Sequence, residues 1–127
     1  MKNKSMQLKD KFSRYLRDIR ISVTDRCNYR CPYCMPEEIY GEKYSFLNRK
    51  EILNFEEILR LLRIFVRFGV NKVRITGGEP LVRKDIDKLI TGIREINNEL
   101  DIALTTNGYL LKQKALKLKQ AGLSRIT

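Results

Sequence analysis

Stretches of two-residue apolar–polar alternation follow one another along this chain with helical stripes between them. That rhythm constrains the fold more than any other feature. Ile19, Ile21 and Val23 alternate with Arg20, Ser22 and Thr24, Val73 and Ile75 with Arg74 and Thr76, and Ile102 and Leu104 with Ala103 and Thr105. Each run has the period of a strand. Between the first two, Phe55, Ile58, Leu61, Leu62, Phe65 and Val66 form a helical stripe, opened by a capping pair at Asn54 and Glu57 and stopped at Gly69. A second helix carries Ile86, Leu89, Ile90, Ile93 and Ile96 behind the acids Asp85 and Asp87. A third helix with Leu111, Ala115 and Leu118 follows the Asn107-Gly108 turn and ends at Gly122, and Ser124–Thr127 begin a fourth strand. Strand and helix recurring at about 30-residue spacing predict an α/β fold with a parallel sheet. The strands, however, are not apolar on both faces, as buried parallel strands usually are. Arg20, Ser22, Thr24, Arg74, Thr76 and Thr105 give the sheet one polar side, which implies a barrel open enough to hold a charged ligand.

Composition removes several kinds of chemistry. The 127 residues include no histidine, so Ser-His-Asp and Cys-His catalysis and histidine-bound zinc are excluded. A formal charge of +11 points to a polyanionic partner. No apolar run is long enough for a membrane span or a secretory leader, and the chain is expected to be cytoplasmic. A length of 127 residues allows one core. Residues 1–18 are read as a basic surface extension with a short helical turn at Phe12–Leu16.

All three cysteines, Cys27, Cys31 and Cys34, lie in C-x3-C-x2-C spacing just past the first strand, where α/β folds place their sites. Three thiols cannot all pair as disulfides, and structural zinc wants a closed set of four ligands. An iron–sulfur cluster suits the spacing better, because a short loop can present thiolates to three corners of a cube. A missing fourth thiolate leaves one iron open to a small molecule, which makes the site catalytic rather than a simple electron carrier.

Cys27-x-x-x-Cys31-x-Tyr33-Cys34 with Gly77-Gly78-Glu79-Pro80 after the second strand resembles the radical S-adenosylmethionine superfamily. The segments Arg17–Asn28, Arg74–Leu81 and Thr105–Gly108 narrow the likeness to the GTP-cyclising branch that opens molybdenum-cofactor synthesis, and it covers residues 11–127. The resemblance implies the N-terminal half of a partial (β/α) barrel with parallel strands and a polar lumen. It also implies a 4Fe-4S cluster on Cys27, Cys31 and Cys34, whose open iron chelates S-adenosylmethionine. An electron then splits that cofactor to methionine and a 5'-deoxyadenosyl radical. Tyr33 would lie beside the adenine and Gly78 would let backbone approach the methionyl amine. Arg20, Arg74 and Thr105 would bind GTP, and a low-potential carrier such as flavodoxin or ferredoxin would supply the electron.

The family's later serine, lysine and second cysteine set have no counterpart in these residues. The chain therefore reads as an extension (1–18) and the N-terminal part of the core (19–127), cut in its fourth strand. Alone it is expected to be poorly folded and inactive. Two other readings stay open. One is a radical S-adenosylmethionine enzyme acting on peptide or tRNA. The other is a basic, zinc-stabilised nucleic-acid module, although the GTP reading does not expect nucleic acid as a partner.

Overall fold

The computed structural model describes residues 6–127. One sheet holds four parallel strands, β1 (Asp18–Ser22), β2 (Lys72–Thr76), β3 (Asp101–Leu104) and β4 (Arg125–Ile126), in the order β1-β2-β3-β4. The one-turn α1 (Glu37–Tyr40) and the longer α2 (Phe55–Arg67) connect β1 to β2. A 3-10 turn at Pro80–Val82 and α3 (Ile86–Ile96) lead to β3, and α4 (Leu111–Ala121) leads to β4. This is the α/β parallel arrangement that the alternation predicts.

Each helix has a local cause. The Asn54 side chain accepts from the Glu57 N–H at 2.8 Å and the Glu57 carboxylate accepts from the Asn54 N–H at 2.8 Å, a complete capping box. Gly69 stops α2 at φ +103° and Gly122 stops α4 at φ +102°, conformations that cost a Cβ-bearing residue. Between α2 and α3 the backbones come close because Gly92 has no side chain. A Cβ there would lie 2.6 Å from Leu59 Cδ1.

The core lies between the helices and one face of the sheet. In register, Ile19, Val73 and Ile102 form one apolar row, and Ile21, Ile75 and Leu104 the next. Ile58 and Leu62 from α2, and Ile86, Leu89, Ile90 and Ile93 from α3, close over them, all buried. Full burial of one such side chain is worth about 1.5–3 kcal/mol. A one-residue slip would turn every row to the wrong face, so register is firmly specified. At the base, Arg94 staples α3 to the sheet. Its guanidinium donates to Gly122 O at 2.7 Å, Leu100 O at 2.6 Å and Ser124 Oγ at 2.7 Å.

Some details differ from expectation. Residues 12–16 form no helical turn. Residues 8–16 make a small hairpin, with Leu16 N–H bonded to Leu8 O and a bridge between Lys9 and Tyr15. Asp10 decides this by accepting from the N–H groups of Phe12 and Arg14 at 2.8 and 3.1 Å. Such a local side-chain turn competes with helix. Leu61 is exposed although its spacing suited the stripe, and the buried residues of α2 are Ile58 and Leu62. Ala115 is likewise exposed, while Leu118 carries the burial of α4.

Candidate active site

At the carboxyl ends of β1 and β2 the chain weaves through itself. Gly78 N–H donates to Thr24 O and Glu79 N–H to Arg26 O, both at 2.8 Å. Contacts this short need glycine. A Cβ on Gly77 would sit 2.5 Å from Thr24 O and one on Gly78 2.3 Å from Arg26 O. The first demand on Gly78 is therefore packing against residues 24–26, which fixes the start of the cysteine loop against the Gly-Gly-Glu motif. Glu79, only 2% exposed, accepts from Leu81 N–H at 3.0 Å, from Thr106 Oγ1 at 2.7 Å and from Asn107 N–H at 2.7 Å. Sequence reasoning gave this carboxylate no role. It ties the motif to the turn after β3, and the paired carboxylate spacing that betrays a metal or acid–base site could not have revealed it.

Cys27 and Cys31 are half-buried and Cys34 is exposed, and all three are free thiols. A turn joins the last two, with Cys34 N–H and Met35 N–H both bonded to Cys31 O at 3.0 Å. Arg30 holds the loop from inside, donating to Cys27 O at 2.8 Å and to Tyr40 O at 3.0 Å. Phe46 is stacked by both Arg26 and Arg30, at 5.4 and 5.5 Å from the ring centroid. Among the described residues no three Cys, His, Asp or Glu side chains converge as a metal-binding group. The loop brings the thiols to one end of the sheet without drawing them to one point. Tyr33 is 91% exposed, so its ring is not part of the core and is open to a ligand. Its phenol is raised above the ordinary tyrosine value, first by the charge of Cys31, then by a hydrogen bond to it, burial, and Cys34.

The polar face of the sheet is ordered by charge. Lowest, Asp18 pairs with Lys72 at 3.7 Å, and Asp101 pairs with Arg125 at 2.9 Å. One row up, Arg20, Arg74, Ala103 and Arg125 stand in register across all four strands. Ser22 and Thr76 form the next row. Thr105 follows β3, its N–H donating to Ile75 O at 3.0 Å. Arg20 and Arg74 are thus neighbours on adjacent strands, and among the described residues neither has an ion-pair partner, since the nearby acids are taken by Lys72 and Arg125. Arg125 was missed because β4 is too short for its alternation to stand out.

A family model for the radical SAM superfamily matches residues 21–127. The chain belongs to that superfamily. Its cofactors are a 4Fe-4S cluster and S-adenosylmethionine. The radical SAM chain is 53% identical over 120 residues to GTP 3',8-cyclases from Staphylococcus aureus strains JH9 and Newman. The match takes in 94% of this chain and 35% of each relative, so the chain spans about a third of their length. Its fold is similar to the crystal structure of BtrN in complex with AdoMet and 2-DOIA, with a TM-score of 0.64 and 20% identity over 86% of this chain and 43% of that one. The open conformation of BtrN gives a TM-score of 0.63 at 21% identity, over 86% of this chain and 47% of that one. The donor set fits the superfamily's cluster, being three free thiols on one loop with N–H donors at the Cys27 sulfur.

Proposed function

We propose that the chain is the N-terminal part of a GTP 3',8-cyclase, a radical SAM lyase acting at the first step of molybdenum-cofactor synthesis in the cytoplasm. Residues 1–18 are its extension and 19–127 the start of its core. The observation that carries this reading is the pair Arg20 and Arg74, side by side on the polar face without a carboxylate partner among the described residues. Two planar guanidinium forks rooted in register on adjacent strands suit a phosphate chain or a purine edge. The likeness to the staphylococcal cyclases supports it.

In this reading Cys27, Cys31 and Cys34 each give one thiolate to the cluster. Tyr33 lies beside the adenine and Gly78 offers its backbone near the methionyl amine. Arg20 and Arg74 bind GTP, and Thr105, one row further toward the cysteine end, orients it with its hydroxyl. When bound, the cluster and S-adenosylmethionine supply the electron and the radical precursor. Glu79 keeps the Gly-Gly loop and the Thr106-Asn107 turn in fixed relation, so that the cofactor and substrate ends of the site keep their spacing.

The electron donor is an acidic low-potential carrier of the flavodoxin or ferredoxin kind. A cavity of about 610 Å³ lined by Arg26, Arg49, Arg83, Lys84 and Lys88 opens next to the cysteine loop, with Asp85 its one acid. Arg83 there is held below its ordinary value by burial and by Arg49. No helix among the described residues is long and apolar enough to cross a membrane.

The test uses the full-length protein with GTP, S-adenosylmethionine and reductant. Arg20→Ala and Arg74→Ala each lose a charge-assisted contact worth about 1.5–3 kcal/mol, a loss of roughly 10- to 150-fold in kcat/KM for GTP. Cluster content stays at the wild-type level. Unchanged GTP kinetics in both variants would reject the assignment. Reduction by an acidic carrier should slow between low and physiological salt, where the screening length is about 8 Å. A rate indifferent to salt would reject that partner.

A further inference from the structure

One side chain links the cysteine loop to the turn that follows β3. The Asn107 Oδ1 accepts from Tyr109 N–H at 3.0 Å, which fixes the orientation of the amide. Its Nδ2 therefore faces the loop, 2.9 Å from Asn28 Oδ1 and 3.9 Å from Cys27 Sγ. The backbone behind it is anchored, because Asn107 N–H and Thr106 Oγ1 both donate to the buried Glu79. A second donor, Tyr29 N–H, reaches the same sulfur at 3.4 Å. Cys27 also lies 4.0 Å from Asn28 Oδ1, a contact that needs the thiol proton. Once Cys27 is a thiolate, that contact is lost and the sulfur can only accept.

We infer that Asn107 is a positioning residue that donates an N–H to the Cys27 sulfur and thereby raises the reduction potential of the cluster. The inference rests on the cluster reading of Cys27, Cys31 and Cys34 proposed above. Hydrogen bonds to the ligating sulfurs are one of the protein's levers on iron–sulfur potentials, and groups behind the ligands tune a metal site strongly. A donor drains charge from the thiolate and so stabilises the reduced, more negative cluster. The same turn carries Thr105 and Thr106, so the residue that tunes the cluster belongs to the segment proposed to hold the substrate.

The test is a potentiometric titration, followed by electron paramagnetic resonance, of the reconstituted full-length protein and three variants. Asn107→Asp keeps the acceptor that Tyr109 N–H needs but replaces the donor toward Cys27 with a negative charge, so it should lower the potential furthest, and the uncharged Asn107→Ala reads the loss of the donor itself. Asn107→Ala removes donor and acceptor and adds no charge. Each should bind iron at the wild-type level and lower the reduced-to-oxidised ratio at fixed poise by about tenfold or more, about 59 mV for a one-electron couple. Asn28→Ala takes away the acceptor that competes for Nδ2 and should move the potential the other way. Wild-type potentials in all three variants with full iron content would overturn the inference while leaving the cluster reading intact. Wild-type protein that takes up no cluster would overturn both.

Discussion

The segment from β2 to β3 and the loop between β1 and α2 are built on opposite principles. Residues 72–104 contribute Val73, Ile75, Leu81, Ile86, Leu89, Ile90, Ile93, Ile102 and Leu104 to the core, nearly all at 0% exposure. Across residues 27–53 the one buried apolar side chain is Met35. That loop is held by separate polar and aromatic fastenings: Arg30 on backbone carbonyls, Leu47 N–H on Asp25 Oδ2 at 2.7 Å, and the Tyr40, Tyr44 and Phe46 rings against one another. Its thiols do not converge among the described residues. The difference teaches that burial dominates the framework, whereas under the proposed cluster reading the loop would take its final shape on binding the cluster, since metal binding and folding of a ligand loop are coupled.

The comparison breaks most sharply at the cysteines. Replacing Cys27, Cys31 or Cys34 with Ala in the full-length protein should remove one cluster's worth of iron and sulfide in anaerobic reconstitution and abolish the spectral response to S-adenosylmethionine, with far-ultraviolet circular dichroism unchanged. Wild-type iron and sulfide content, with the response to S-adenosylmethionine kept, in any of the three would dissolve the distinction. Next in size is Ile90→Ala, which opens a cavity in the framework and should cost about 2–5 kcal/mol in denaturant unfolding. A loss under about 1 kcal/mol would mean that the framework does not rest on its core. Smallest is Asn54→Ala, which removes the cap where the loop hands over to α2 and should cost about 1 kcal/mol. No change there would place that junction on the loop side of the comparison.

The framework was legible because its signals are local and periodic. The Asn54–Glu57 box, Gly69, and the isoleucine ladder of α3 all act within a few residues, and the alternation in β1, β2 and β3 sets which side chains face the core. Of the candidate site, the place of the cysteines past β1 and the face of Arg20 and Arg74 were legible, because spacing and alternation carry them. Other parts depend on tertiary distance. Nothing near Glu79 or Asn107 in sequence says that they meet, nor that Arg94 ends against Gly122 and Ser124. The hairpin at residues 8–16 was misread because one aspartate outweighs a weak apolar spacing. The one-turn α1 went unread although Pro36, Glu37 and Glu38 mark a helix start, because four residues carry no period.

The central claim is that the loop of Cys27, Cys31 and Cys34 holds a 4Fe-4S cluster with one iron open to S-adenosylmethionine. Mössbauer spectroscopy of the anaerobically reconstituted full-length protein, with and without S-adenosylmethionine, tests it directly. The account predicts that, within the cluster lost on replacing Cys27, Cys31 or Cys34, one iron site alone changes when S-adenosylmethionine is added. Stoichiometric zinc in anaerobically purified protein, with no cluster spectrum after reconstitution, would contradict it.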